Sequence, residues 1–134
     1  MNKLIKWAFL PLSFAMASTA YADFKSPSGN IICGADGNGV HCHISQTANS
    51  KPALKRPSHC QFDWGNDFYV SSRGGASMLC VSDFPFDVHG AQTLGYGQGI
   101  SGNGWTCSSS TSGMTCKNRQ GRGFSISKSK QRVF

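Results

Sequence analysis

Apolar residues along the chain fall in short stretches, separated every eight to twelve residues by Gly, Ser, Pro or Asn. Short runs with that turn spacing predict strands joined by hairpins rather than helices. The stretches place strands near residues 30–34, 40–44, 67–72, 76–82, 104–108, 113–117 and 123–127. The predicted fold class is all-β: a small disulfide-stapled antiparallel sheet, sandwich or partly open barrel built from hairpins. Ser45 to Pro57, which carries Lys51, Pro52, Lys55, Arg56 and Pro57, reads as an exposed loop; another loop runs through Asp83 to Gly90, and residues 95–104 are half glycine.

Residues 1–22 break the pattern. Lys3 and Lys6 precede an apolar stretch from Trp7 to Ala17, and Ala20-Tyr21-Ala22 ends the segment before Asp23. This is the layout of a secretory signal peptide with a small-residue cleavage site. The stretch is too short to span a bilayer and is interrupted by Pro11 and Ser13. No Cys stands beside the cleavage site, which argues against a lipid anchor. The expectation is a signal peptide over 1–22 and one disulfide-stabilised β domain over 23–134, soluble in the periplasm or outside the cell, with a basic segment at 117–134.

Composition narrows the class. The acids are six Asp and no Glu, which removes helical bundles and coiled coils built on Glu/Lys faces. Without Lys3 and Lys6, 11 cations remain against 6 acids, so the formal charge of +7 becomes +5. Leu, Ile, Val and Phe number 20 of the 134 − 22 = 112 residues after the signal, a small inventory for burial alone to offset chain entropy. Six cysteines in an oxidising compartment supply the missing constraint.

The cysteines also carry a repeat. Cys33 to Cys42 and Cys107 to Cys116 share one spacing: Cys, five residues, Gly, an apolar residue, any residue, Cys. Centring a two-residue turn on Gly37-Asn38 pairs Asp36 with Gly39, Ala35 with Val40, Gly34 with His41 and Cys33 with Cys42. The cysteines then occupy a non-hydrogen-bonded pair, whose Cα atoms lie ~4.5 Å apart, close enough for a bridge. In the second copy Thr111-Ser112 suits a primed turn less well, so a longer loop using Gly113 is predicted. Cys60 and Cys80 flank an apparent hairpin through Arg73-Gly74-Gly75 and are left to each other. The predicted bridges are 33–42, 60–80 and 107–116.

Candidate chemistry is sparse. His41 and His43 alternate about Cys42, so both rings point to one face of a strand; they are weak candidates for a metal pair, with His59 and His89 the other histidines. Gly97-x-Gly99-x-x-Gly102 matches the dinucleotide fingerprint formally but precedes Asn-Gly-Trp-Thr-Cys rather than a helix, so neither a dinucleotide nor any other cofactor is predicted. The esterase elbow is absent, because Ser101 is followed by Gly102 and Asn103. Asp63 and Asp67 flank Trp64 and read as turn residues. The clearest signal is charge: Lys117, Arg119, Arg122, Lys128, Lys130 and Arg132 follow one another with no acid among them. Phe124, Ile126, Lys128, Lys130 and Arg132 share parity, so an extended end is expected to show a cationic stripe beyond an apolar anchor.

The ordered set Phe24-x-Ser26-Pro27-Ser28-Gly29-Asn30-Ile31-x-Cys33, Asp63-Trp64-Gly65, Leu94-x-Tyr96-Gly97 and Gly121-x-Gly123-Phe124 resembles a family of small exported bacterial proteins, mycobacterial, actinobacterial and proteobacterial, filed as a domain of unknown function. The resemblance implies export, paired cysteines and one compact domain, and no established activity. Many members carry His in the Gly-x-Gly-Phe segment where this chain has Arg122, which weakens any catalytic histidine there. The leading expectation is a non-enzymatic exported module contacting an anionic envelope component or a protein partner. The alternatives are a small phosphodiester hydrolase using His41, His43 or His89 with Arg122, and an inhibitor or immunity protein for a secreted enzyme.

Overall fold

The computed structural model describes residues 23–48 and 51–134; the predicted signal peptide lies outside the described residues. The first half of the chain forms β1 (Phe24–Lys25), β2 (Ile31–Ala35), β3 (Gly39–Ile44), β4 (Asp67–Ser71), β5 (Ser77–Met78) and β6 (Gln92–Thr93). These build a six-stranded sheet in the order β5-β4-β3-β2-β1-β6, antiparallel throughout except for the parallel β1–β6 edge. The second half forms β7 (Gly99–Ser101), β8 (Trp105–Ser110), β9 (Gly113–Asn118), β10 (Gly123–Ile126) and β11 (Gln131–Val133). These build a five-stranded antiparallel sheet in the order β11-β10-β9-β8-β7. The fold is all-β, with no helix among the described residues, and the two sheets do not close into a barrel.

The two copies of the cysteine repeat are the hairpins at the middle of each sheet. Cys33 pairs with Cys42 on β2 and β3, and Cys107 with Cys116 on β8 and β9, their Cα atoms 4.1 and 4.0 Å apart. The third bridge joins Cys60 to Cys80, outside the β4–β5 hairpin. Both repeat disulfides point inward, and Cys42 Sγ lies 3.7 Å from Cys116 Sγ, so the bridges meet where the sheets face each other. Around them pack Phe68 against Phe124 at 5.6 Å between ring centroids and Phe24 against Trp105 at 6.2 Å, with Ile44, Val70, Met114 and Ile126 filling the rest of the layer. Few aliphatic side chains suffice because the sulfurs themselves occupy the centre of the core.

Two expectations are corrected. The second hairpin closes with two residues, not with a longer loop: Ser110 pairs with Gly113 across Thr111-Ser112. Ser110 Oγ accepts from the Ser112 N–H at 3.2 Å, and Gly113 absorbs the turn at φ +121°, a value that L side chains avoid. The basic end is not extended either. Ser127 N–H donates to the Lys130 carbonyl at 2.8 Å, which reverses the chain and returns β11 alongside β10. Arg132 therefore sits opposite Ser125 on the outer face, whereas Phe124 and Ile126 point into the core.

Short edge strands account for the other differences. β1, β6, β7 and β11 were not among the predicted strands, and the stretch 76–82 yields only Ser77–Met78. Strands of two or three residues have no periodicity to read; they exist because a neighbour offers a ladder.

Candidate functional site

The outer face of the second sheet follows from strict alternation. On β8 and β9, Trp105, Cys107, Met114, Cys116 and Asn118 point inward, which leaves Thr106, Ser108, Thr115 and Lys117 outside. Register then aligns Ser108, Thr115, Ser125 and Arg132 in one row across four strands, and Ser101, Thr106 and Lys117 in another. Neighbouring hydroxyls pair, with Thr115 Oγ1 2.9 Å from Ser125 Oγ and Ser101 Oγ 3.0 Å from Thr106 Oγ1. Such cross-strand pairs stabilise the sheet on its polar face.

This face opens into a groove of about 790 Å³ lined by Thr115, Ser125 and four cations, Lys117, Lys128, Lys130 and Arg132. All four are exposed, and none forms an ion pair with a carboxylate among the described residues. The Arg132 guanidinium lies over the Phe134 ring, 4.7 Å from its centroid, which holds the head in place without neutralising it. The other two predicted cations sit at the end of the sandwich: Arg119 lines a crevice with Trp105 and Asn118, and Arg122 is adjacent to Gly75. So the structure brings four of the six predicted residues to one groove and sets two beside it.

Charge separates with the sheets. All six Asp lie between residues 23 and 87, where five cations accompany them; from residue 88 to 134 there are six cations and no acid. Side-chain charge is thus 5 − 6 = −1 for residues 23–87, which supply β1 to β5, and +6 for residues 88–134, which supply the short edge strand β6 and the whole second sheet.

The first sheet carries a different cluster. His41 and His43 share its outer face, as their alternation predicts, and between them lies Asp67, the first residue of β4, only 3% exposed. His41 Nε2 is 2.8 Å from Asp67 Oδ1, and His43 Nδ1 is 3.1 and 3.2 Å from the two carboxylate oxygens. Burial by itself pushes the Asp67 carboxyl up, but hydrogen bonds and positive charge from the two histidines outweigh it and hold the group below the ordinary aspartate value. Phe84 stacks on His43 at 4.1 Å between centroids, and Phe86 meets His41 edge-on at 4.9 Å. Beside them Tyr69 Oη donates to Asp36 Oδ1 at 3.3 Å, and burial together with the Asp36 charge raises its pKa.

The histidine pair is therefore spoken for by an aspartate, not joined by His59 or His89. Among the described residues, the donor atoms close enough to share an ion are those of Cys33, Cys42 and Cys116, which are already in bridges. Asp67, Phe84 and Phe86 escaped sequence reasoning. Asp67 stands 24 and 26 residues from its partners and looked like a turn residue beside Trp64; the available signal was its place at the start of an alternating run. The glycines of Gly97-x-Gly99-x-x-Gly102 lead into and out of the edge strand β7, which is antiparallel to β8. Among the described residues, no helix is long and apolar enough to cross a membrane. Three disulfides fit an oxidising compartment.

The model of a protein family described as a family of unknown function, DUF6636, matches residues 5–134. No curated protein and no solved structure matches the chain.

Proposed function

The chain belongs to this family of unknown function, and because membership brings no activity with it, we propose from the surface chemistry that it is an exported, non-enzymatic module binding an anionic polymer of the cell envelope through the outer face of its second sheet. One observation carries this reading: four exposed cations, without carboxylate partners among the described residues, converge on one groove in a half of the chain devoid of acids. Cations held without counter-charges on a rigid sheet attract polyanions at long range and release condensed counterions on contact. Paired Ser and Thr hydroxyls between them supply further donors to phosphate, sulfate or carboxylate oxygens.

The phosphodiester-hydrolase alternative receives less support. Arg122 lies at the β9–β10 turn next to Gly75, while His41 and His43 direct a nitrogen each at Asp67 on the other sheet. For the inhibitor alternative, a +5 protein meeting a basic secreted enzyme would face unfavourable long-range electrostatics.

The test is salt-dependent retention on isolated envelope fractions, compared between the natural chain and the triple replacement Lys128→Ser, Lys130→Ser and Arg132→Ser. Retention of the natural chain should fall linearly in log affinity against log salt, and the triple variant should lower that slope by roughly three, about one per contact. Equal retention and equal slope would refute the reading.

A further inference from the structure

At the end of the sandwich next to the cationic groove lies a second depression of about 460 Å³, inside the ~300–1,000 Å³ range of small-molecule sites. The β1–β2 turn, the end of β3, the β8–β9 turn and the β10–β11 turn form its walls, and Lys128, Ser127 and Thr111 line both depressions, so the two are continuous. Its chemistry differs from that of the groove beside it. Among the described residues, Lys128 is its single charged side chain, and most of the lining residues carry a hydroxyl or amide group. Tyr96, 56% exposed, is the one aromatic among them.

The polar groups there divide into those that build the wall and those that face out. Asn30 is structural: its amide donates to the Gln46 carbonyl at 3.0 Å and accepts from the Gln46 N–H at 2.8 Å, pinning the end of β3. By contrast, the side chains of Ser45, Gln46, Thr111, Tyr96 and Lys128 make no hydrogen bond among the described residues. Four of these five both donate and accept. That mixture is redundant for a phosphate backbone, which only accepts, but it matches vicinal hydroxyls, which do both. An exposed tyrosine edging such a surface supplies the apolar plate on which the C–H face of a sugar ring rests, with its phenol free to bond.

We infer that this depression is a saccharide subsite, so that the polymer recognised by the cationic face is an anionic glycan whose sugar ring seats on Tyr96 while its charged groups run past Lys128 toward Lys130 and Arg132. The inference rests on the anion-binding reading above, and its test separates the two. Dextran sulfate and polyphosphate of matched charge are titrated by calorimetry into the full exported chain, its Tyr96→Ala variant and the Lys128/Lys130/Arg132→Ser triple variant, with circular dichroism confirming that each is folded. The natural chain should bind dextran sulfate the more tightly. Tyr96→Ala should weaken dextran sulfate about two- to tenfold and leave polyphosphate unchanged, whereas the triple variant should weaken both. Equal binding of the two polymers by the natural chain, or equal loss of both in Tyr96→Ala, would overturn the saccharide subsite and leave the charged face standing. Preference for polyphosphate or a single-stranded oligonucleotide over dextran sulfate would overturn it also. Binding of neither polymer would bring down the anion reading and the subsite together.

Discussion

The two repeat disulfides touch, so removing them should not be additive. Replacing Cys33 and Cys42 by Ala opens a loop with sequence separation 9, for which the chain-entropy relation gives about 2.6 kcal/mol, and the same holds for Cys107 and Cys116. If bridges acted on the unfolded chain alone, losing both would cost about 5.2 kcal/mol, the sum for two separate loops. In the folded protein, however, all four cysteines are fully buried and Cys42 Sγ rests 3.7 Å from Cys116 Sγ. Each single deletion forfeits that contact and leaves a void against the surviving bridge, while the double deletion forfeits it once and lets the layers settle together. The combined cost should therefore fall short of the sum by about 1 kcal/mol, within the range for residues in contact. Urea unfolding of the natural chain, both pair variants and the quadruple variant gives the cycle, with sucrose added equally to all four so that the weakest stays folded. The internal control is the Cys60–Cys80 bridge, separation 20 and worth about 3.3 kcal/mol, which lies outside the core cluster. Its removal should add to that of Cys33–Cys42 within about 0.5 kcal/mol. Strict additivity in both cycles would refute the argument that the sulfurs form the centre of the core.

Asp67→Asn removes a buried carboxylate from two imidazoles and should destabilise the protein at pH 7 by about 2–4 kcal/mol. Since the folded pKa of Asp67 lies below the ordinary value of 3.8, its stabilisation is present above that value and is lost as pH falls through the lowered one; the natural chain should lose stability in acid more steeply than the variant, and identical acid profiles would contradict this. Gly34→Ala drives a methyl group into the Phe86 ring and to 2.7 Å from Asp23 Oδ1, so it should cost about 1–3 kcal/mol and speed chymotryptic cleavage after Phe86; unchanged cleavage would show that the loop does not rest on Gly34. In a non-reducing tryptic digest, residues 26–55 should emerge as one internally bridged peptide, with 56–73 tied to 74–117 through Cys60 and Cys80; a link from 26–55 to either would contradict the pairing.

What could be read from the chain was whatever depends on near neighbours. Spacing alone placed Cys33 opposite Cys42, because a two-residue turn leaves one register, and it put His41 and His43 on one face. The acid-free end needed only inspection. What escaped reading depends on contacts distant in sequence: Asp67 finds its histidines only when β4 joins β3, and β11 forms only because Ser127 reverses the chain. Parity would put Arg132 on the face of Phe124 only if one strand ran unbroken through residues 127–130; the reversal there sends Arg132 to the opposite face. The groove that results gathers Lys117 with Lys128, Lys130 and Arg132, a grouping that no stripe along one strand contains.

Backbone amide shifts followed by NMR during a polyphosphate titration test, residue by residue, the proposed binding of anionic polymer on the outer face of the second sheet. Shifts concentrated at Lys117, Ser125 and Lys128 to Arg132, with His41, His43 and Asp67 undisturbed, are the predicted result. Shifts centred on the histidine face of the first sheet, or no shifts at low salt, would contradict it.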